Sequence, residues 1–64
     1  MVSIGEKLTY LRERLGKTRE EAAEEMGVSL RALQSYELNA RVPRDEIKVK
    51  IARYYRVSID KLFY

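Results

Sequence analysis

Thr18–Leu38 reads TREEAAEEMGVSLRALQSYEL, and this stretch decides the fold. Its first half begins with a capping-box pattern, Thr18 with Glu21, and Gly27 ends it. Ser29, which follows after a single further residue, is a strong N-cap for a second helix. Two short helices joined by so tight a turn must cross steeply. The stretch therefore predicts a pair of short helices set at a steep angle to each other.

Three further short helices surround this pair. The first begins with another capping-box pattern, Ser3 with Glu6, and its apolar residues are spaced for one face of a helix, formed by Ile4, Leu8, Leu11 and Leu15. The sequence shows no strand-like alternation and no hairpin turn, which favours an all-α fold. We expect one compact five-helix domain over residues 1–64, with helices at Ser3–Leu15, Thr18–Met26, Ser29–Leu38, Arg44–Tyr55 and Ser58–Phe63.

Two positions in the fourth predicted helix depart from an ideal pattern. Val49 falls on the opposite side from Ile47, Ile51 and Tyr55, so we expect its side chain to be exposed. Arg56 stands where the end of a helix prefers glycine, and a left-handed conformation at a non-glycine residue costs roughly 1–2 kcal/mol. Neither departure argues against the helix.

The composition excludes several classes of function. The 64 residues contain no cysteine and no histidine, which removes disulfides, thiolate metal sites and the commonest general base. We therefore expect no enzyme activity, no cofactor and no metal, and the acidic residues at positions 20–25 fit a solvated helix face better than a metal site. There is no membrane-length apolar run and no signal-peptide pattern, so we expect a cytoplasmic protein.

The charge is unevenly distributed along the chain. The net charge is +3, and residues 26–64 carry eight Lys/Arg against four Asp/Glu. A molecule with one basic side can be oriented by a polyanion, although an ordinary solvated surface has the same composition. The charge alone is therefore only weak support for an anionic partner.

The tight connection at Gly27 fits a helix-turn-helix motif at about residues 19–38, and it also fits an ordinary corner in a helical bundle. The wider pattern distinguishes these alternatives. Matching residues are Ile4-Gly5, Leu8, Leu11-Arg12, Thr18–Ala23, Met26–Ser29, Leu33, Tyr36-Glu37, Pro43, Ile51-Ala52, Val57–Asp60 and Leu62. On these residues the chain resembles the phage-repressor/Cro-type helix-turn-helix family, which implies a lambda-repressor-like fold and sequence-specific binding of double-stranded DNA.

In such a domain the third helix lies in the major groove with its first turns against the base edges. After the cap Ser29, the outward side of this helix is expected to carry Arg31, Ala32, Gln34 and Ser35. Arg31 can pair with guanine or simply contact a phosphate, and Gln34 can pair with adenine. Leu30 either touches a thymine methyl group or packs on the second helix, and the pattern leaves both alternatives open.

Three arginines are candidates for contacts with the DNA backbone. Arg19 lies at the N-terminus of the second helix, where free backbone N–H groups and the helix dipole already favour phosphate. Arg41 and Arg44 flank Pro43 in the following loop, and the family resemblance implies a second phosphate contact there. The family commonly has glutamine at the position of Arg19 and leucine at the position of Lys48, so the chain departs from it at both.

One pair of opposite charges is predicted inside the domain. On helical wheels Arg12 lies close to the apolar side of the first helix and Glu37 lies on the inner side of the third. An unpaired inward charge is costly, whereas opposite charges on two packed helices can form an ion pair. The resemblance implies the same pair, which we expect to fix the register of the third helix.

We interpret the chain as a small bacterial or phage-encoded transcriptional regulator, specifically a repressor that binds a two-fold operator as a homodimer. Tyr54, Phe63 and Tyr64 are the expected dimer surface, the alternative being that Phe63 covers the domain's own core. No pocket for a small-molecule effector is evident. The rival interpretation is a protein–protein interaction module of the same fold that does not contact DNA, and the arginines at positions 19, 31 and 44 argue against it.

Overall fold

The computed structural model of the protein describes residues 2–64, which form five α-helices and no strand. The helices are α1 (Ile4–Arg14), α2 (Arg19–Met26), α3 (Leu30–Glu37), α4 (Asp45–Tyr55) and α5 (Ile59–Phe63). The predicted all-α, five-helix class is confirmed, and each helix end lies within one residue of its predicted position.

Serine and threonine side chains start four of the helices. The predicted capping boxes of α1 and α2 are both present. At α2, Thr18 Oγ1 accepts a hydrogen bond from the Glu21 N–H at 3.1 Å, and Glu21 Oε1 accepts one from the Thr18 N–H at 2.9 Å. Single caps from Ser29 and Ser58 start α3 and α5. These side chains satisfy backbone donors that a helix N-terminus leaves free, which is why the helix starts were predictable.

Left-handed residues separate the helices. Gly16, Gly27 and Asn39 have positive φ angles of 69°, 81° and 60°, which lets the chain turn after α1, α2 and α3. Arg56 also adopts this conformation, with φ 57°, although it has a side chain. Hydrogen bonds from Arg56 and Val57 to the last turn of α4 hold it there, so the geometry of the helix end outweighs the local cost.

The core draws side chains from all five helices. Its largest fully buried side chains are Leu8 of α1, Leu33 of α3 and Ile51 of α4. The predicted apolar face of α1 is wrong at Leu15, which is half exposed because α1 ends at Arg14 and the chain turns away. Val49 is exposed, as predicted.

The prediction that Phe63 belongs to an exposed dimer surface is wrong. Phe63 is only 7% exposed and joins the core beside Leu62, because α5 is a single short turn that packs on α4. Tyr54 is partly buried, and its Oη donates a hydrogen bond to Glu25 Oε1 at 2.6 Å. Only Tyr64 remains a largely exposed aromatic residue of this set.

Lys48 is buried on the inner side of α4. Its Nζ donates to Tyr64 Oη at 2.8 Å and lies 4.5 Å from the Tyr64 ring centroid and 5.6 Å from that of Phe63. Two aromatic faces and a hydroxyl thus partly replace the water that a buried ammonium loses. Lys48 thereby attaches the C-terminal residue to α4.

None of the helices within residues 2–64 has the length and apolar composition needed to cross a membrane.

Candidate functional site

The turn between α2 and α3 sets the angle of α3. Gly27 and Val28 both donate backbone hydrogen bonds to the Ala23 carbonyl, each at 3.0 Å, which closes α2 in a tight left-handed end. Ala22 and Ala23 are buried, and their small side chains allow α3 to approach α2 closely. Lys50 of α4 reaches the same turn, its Nζ lying 3.4 Å from the Gly27 carbonyl oxygen. The turn is therefore stabilised by backbone hydrogen bonds to α2 and by the contact with α4.

The two sides of α3 differ sharply in environment. Leu33, Tyr36 and Glu37 are buried against the other helices. On the opposite side Arg31 and Gln34 are exposed, and within the part of the chain that the structure describes neither side chain makes a hydrogen bond or an ion pair. The first turns of α3 therefore present free donors and acceptors on a rigid helix.

The residues next to Arg31 and Gln34 complete this surface. Leu30 is 44% exposed, so part of its side chain is accessible for contact and the rest is covered by the domain. Ser29 is exposed, but its Oγ already accepts a hydrogen bond from the Ala32 N–H at 3.0 Å. Ser35 is partly exposed, and its carbonyl accepts the Ala40 N–H at 2.8 Å. We call residues 29–31, 34 and 35 the α3 surface.

Arg41 and Arg44 are exposed on the loop that follows α3. Pro43 between them is buried and anchors the loop. The two arginines line a shallow cavity of about 250 Å³, together with Tyr36 and Ile47. Arg44 is also the residue before α4, where it makes no side-chain capping hydrogen bond. The loop therefore places two exposed guanidinium groups near the C-terminal end of α3.

Glu37 is the centre of a buried charge cluster that fixes α3 to α1 and α2. Arg12 donates from Nε to Glu37 Oε2 at 2.8 Å and from Nη2 to Oε1 at 3.2 Å, so the predicted pair is present. Thr9 Oγ1 donates to Oε1 at 3.3 Å. Burial raises the pKa of Glu37, but hydrogen bonds from Arg12 and Arg19 exceed that effect and hold it below its usual value. The carboxylate therefore stays charged inside the domain.

Arg19 takes part in this cluster, which the sequence pattern did not indicate. Its Nε donates to Glu37 Oε1 at 2.8 Å, and its side chain is 34% exposed. Arg19 was predicted only as a phosphate contact, whereas the structure gives it an internal partner as well. A basic residue at the start of α2 is equally compatible with a phosphate contact and with an ion pair inside the domain. Only the packing of α2 on α3 shows that Glu37 is within reach of Arg19.

Asn39 turns the chain after α3 and also connects the end of α3 to the start of α1. Its Oδ1 accepts the Gly5 N–H at 3.0 Å, and its Nδ2 donates to Ser3 Oγ at 3.0 Å. Gly5 packs directly on the Glu37 carbonyl, where a Cβ atom would collide with the backbone. This contact requires glycine, and with the Glu37 cluster it makes α3 a fixed part of the domain.

Two of the four acidic residues of α2, Glu21 and Glu25, accept hydrogen bonds from other parts of the chain. Glu25 accepts hydrogen bonds from Tyr54 Oη and, at 3.0 Å, from Lys17 Nζ. The pKa of Tyr54 is raised to about 12, first by burial and then by the hydrogen bond to Glu25. Glu21 belongs to the capping box of α2. These two carboxylates therefore stabilise the fold rather than enlarge the α3 surface.

Comparison with known proteins gives a consistent picture. Residues 8–62 match the family described as "Helix-turn-helix". The chain is 34% identical over 61 residues to the HTH-type transcriptional regulator ImmR of Bacillus subtilis, covering 95% of this chain and 48% of that protein. It is 38% identical over 61 residues to the cryptic phage CTXphi transcriptional repressor RstR of Vibrio cholerae, covering 95% and 54%. The chain thus spans about half the length of these curated relatives. No solved structure matches it.

Proposed function

The chain belongs to the helix-turn-helix family, and from that premise we propose that it is a sequence-specific, double-stranded DNA-binding domain of a transcriptional regulator. The observation that carries this proposal is the contrast between the two sides of α3. Its inner side is fixed by Leu33, Tyr36 and the buried Glu37 cluster, while its outer side presents Arg31 and Gln34 to solvent with no hydrogen-bond partner among residues 2–64. A rigid helix with free hydrogen-bonding side chains is what reading base edges requires.

In this proposal α3 enters the major groove with its N-terminal turns against the bases. Arg31 pairs in bidentate fashion with O6 and N7 of guanine, and Gln34 with N6 and N7 of adenine. Leu30, which is exposed, contacts a thymine methyl group. Ser35 and Ser29 discriminate weakly, since a hydroxyl both donates and accepts.

Phosphate contacts hold the domain in register on the duplex. Arg41 and Arg44 contact the backbone from the loop after α3, and the exposed Lys50 adds positive charge beside the α2–α3 turn. Arg19 contributes through Nη1 and Nη2, because its Nε is used for Glu37. These contacts carry no sequence information but supply much of the affinity.

We further propose that two copies bind one two-fold operator and repress by occupying a site that overlaps a promoter, in the cytoplasm of a bacterial host. The α3 surface can contact only a few base pairs, so useful specificity requires two half-sites about 34 Å apart. Since Phe63 is buried, the proposed contact between the two copies is formed by Tyr64 and the exposed part of Tyr54. So small a contact is weak without DNA. Binding of both copies to one duplex supplies the remaining free energy of dimerisation by linkage.

Selection from a library of random duplexes tests the proposal, using the wild type, Arg31→Ala and Arg44→Ala. The wild type should enrich one motif. Arg31→Ala should relax the preference at one position by about 1–3 kcal/mol, whereas Arg44→Ala should weaken binding to all sequences alike. Arg44 is the matched control because it is also an exposed arginine but lies outside α3. Failure of the wild type to enrich any duplex would contradict DNA binding and favour a protein-interaction module of the same fold.

A further inference from the structure

An apolar groove runs between α1 and α5, outside the proposed DNA-binding surface. Its larger part is a cavity of about 560 Å³, lined by the apolar side chains of Val2, Tyr10, Leu11, Val57 and Leu62. A second cavity of about 290 Å³ shares Leu11 and Val57 with the first and continues it to Leu15. The groove therefore follows α1 over its whole length.

Much of the apolar surface of this groove is open to solvent. Val2, Tyr10 and Leu15 are each half or more exposed, and all three line it. Leu11 and Val57 between them are only partly buried. Contiguous exposed apolar surface marks an interaction site, whereas single exposed apolar residues are normal. The groove therefore has the character of a docking site for another apolar segment.

The charges of α1 that lie beside the groove are basic. At about 100° per residue, Lys7 and Arg14 lie between Tyr10 and the groove. The Arg14 guanidinium lies 5.7 Å from the Tyr10 ring centroid, so it borders the exposed aromatic ring. Glu6 and Glu13 project from α1 on the other side of Tyr10. The helix thus turns its positive edge towards the groove and its negative edge away from it.

The opposite wall adds a third basic group. Lys61 of α5 lines the larger cavity, and its carbonyl accepts a hydrogen bond from Lys7 Nζ at 3.2 Å, which keeps the Lys7 ammonium group at the edge of the groove. Glu6 also lines this cavity, but its carboxylate accepts the Ser3 N–H at 3.4 Å in the capping box of α1. Among residues 2–64, the charged residues that line the groove are therefore three basic ones and one acidic one.

We propose that this groove is a docking site for an amphipathic helix of another protein, with apolar side chains along one face and carboxylates beside them. The apolar side chains enter the groove, and the carboxylates face Lys7, Arg14 and Lys61. α1 is about 16 Å long, so the groove matches a partner helix of about three turns. The basic residues at its edges select an acidic helix over a basic one.

A second copy of this chain is a poorer occupant. The most acidic helix among residues 2–64 is α2, which has glutamates at positions 20, 21, 24 and 25. Its apolar residues Ala22, Ala23 and Met26 are buried in the domain's own core and cannot enter a groove on another copy. The charge of the groove therefore favours a different protein.

The groove lies away from the α3 surface. α1 contacts α3 through Gly5, Thr9 and Arg12. Lys7, at the edge of the groove, points roughly 170° around α1 from the mean direction of those three residues. A docked helix therefore leaves the α3 surface uncovered, and docking does not depend on the proposed DNA binding.

Two synthetic peptides test the proposal by NMR titration of the isotope-labelled domain. Each has about 16 residues, enough for partial helicity, and the same leucine face, which is flanked by glutamates in one peptide and by lysines in the other. The glutamate-flanked peptide should bind and shift amide signals along α1 and α5, and the lysine-flanked peptide should bind at least about tenfold more weakly. Tyr10→Ser should weaken the glutamate-flanked peptide about tenfold, whereas Val49→Ser, at an exposed apolar residue of α4, should leave its affinity unchanged.

Charge reversal separates docking from a change in the fold. Arg14→Glu and Lys61→Glu, both at exposed residues, should each weaken the glutamate-flanked peptide by about 3-fold to 10-fold and strengthen the lysine-flanked one. A loss of structure would weaken both peptides. Arg53→Glu is the matched control at an exposed arginine of α4 outside the groove, and it should change either affinity by less than about twofold.

Several results would overturn the proposal. They are failure of the glutamate-flanked peptide to bind at millimolar concentration, equal binding of the two peptides, an unchanged preference in both charge variants, and amide shifts confined to other helices. Shifts along α1 and α5 on dilution of the domain alone would instead place a second copy in the groove. Larger shifts there with phosphatidylglycerol vesicles than with the peptide would identify a membrane surface, and either result would also contradict the proposal.

Discussion

Replacing Glu37 with glutamine should destabilise the domain severely. The Glu37 side chain is 0% exposed and that of Arg12 is 12% exposed, and the carboxylate accepts four hydrogen bonds. Glutamine keeps the shape but removes the charge and directs an amide N–H₂ at two guanidinium groups. Breaking a buried ion pair in this way costs about 3–5 kcal/mol, because the remaining charge is stranded. A domain of 64 residues has a total stability of roughly 3–10 kcal/mol, so the variant should lie near its unfolding midpoint at room temperature.

A double-mutant cycle by urea denaturation separates the contributions to this loss. Arg12→Met with Glu37→Gln should cost less than the sum of the single changes, because the double variant strands no charge at that pair, and the coupling should be about 1–3 kcal/mol. Arg19→Met is the matched control. The Arg19 side chain is one-third exposed, so solvent screens its ion pair with Glu37. The coupling energy between Arg19 and Glu37 should therefore be about 1 kcal/mol or less. Small and additive losses for Arg12 and Glu37 would refute the view that a buried pair fixes α3.

Three further predictions concern stability. Tyr55→Phe should be neutral or stabilising by up to about 1 kcal/mol in urea denaturation, because the buried Tyr55 Oη has no hydrogen-bond partner among residues 2–64; a loss above 1 kcal/mol would show that the hydroxyl is used. Gly5→Ala should destabilise far more than Gly16→Ala, since a Cβ at Gly5 collides with the Glu37 carbonyl, whereas Gly16 has open space and only the cost of its positive φ; equal losses of thermal stability would contradict that packing. Stability should fall as the pH drops below about 4.3, the ordinary pKa of a glutamate. The fold lowers the pKa of Glu37, so its ionised carboxylate stabilises the native state above the pKa of the unfolded chain, and this stabilisation is lost as the pH falls through the pKa of the folded state. Glu37→Gln should show a weaker pH dependence.

The helix ends were predictable because their causes are local. Ser3, Thr18 and Ser29 accept hydrogen bonds from backbone groups three residues away, and Gly27 supplies a left-handed conformation that its own lack of a side chain permits. The Arg12–Glu37 pair was predictable because helical wheels place both charges inward. The outward positions of α3 follow from the same periodicity.

What the sequence could not show depends on contacts between distant segments. The second partner of Glu37 is Arg19, and the partner of Asn39 is the start of α1, and neither pairing has a local pattern. The burial of Phe63 depends on how one short helical turn packs on α4, and periodicity over five residues does not determine that direction. These side chains are positioned by tertiary packing, which outweighs local preference in short helices.

The salt dependence of binding to a selected duplex is a direct test of DNA binding by this domain, because base reading by α3 requires the arginines around it to neutralise phosphates. With about four phosphates contacted per copy and two copies on the operator, a plot of log affinity against log salt concentration should have a slope of roughly −7. Titrations by fluorescence anisotropy at several salt concentrations give this slope. A slope near zero would contradict the DNA-binding account.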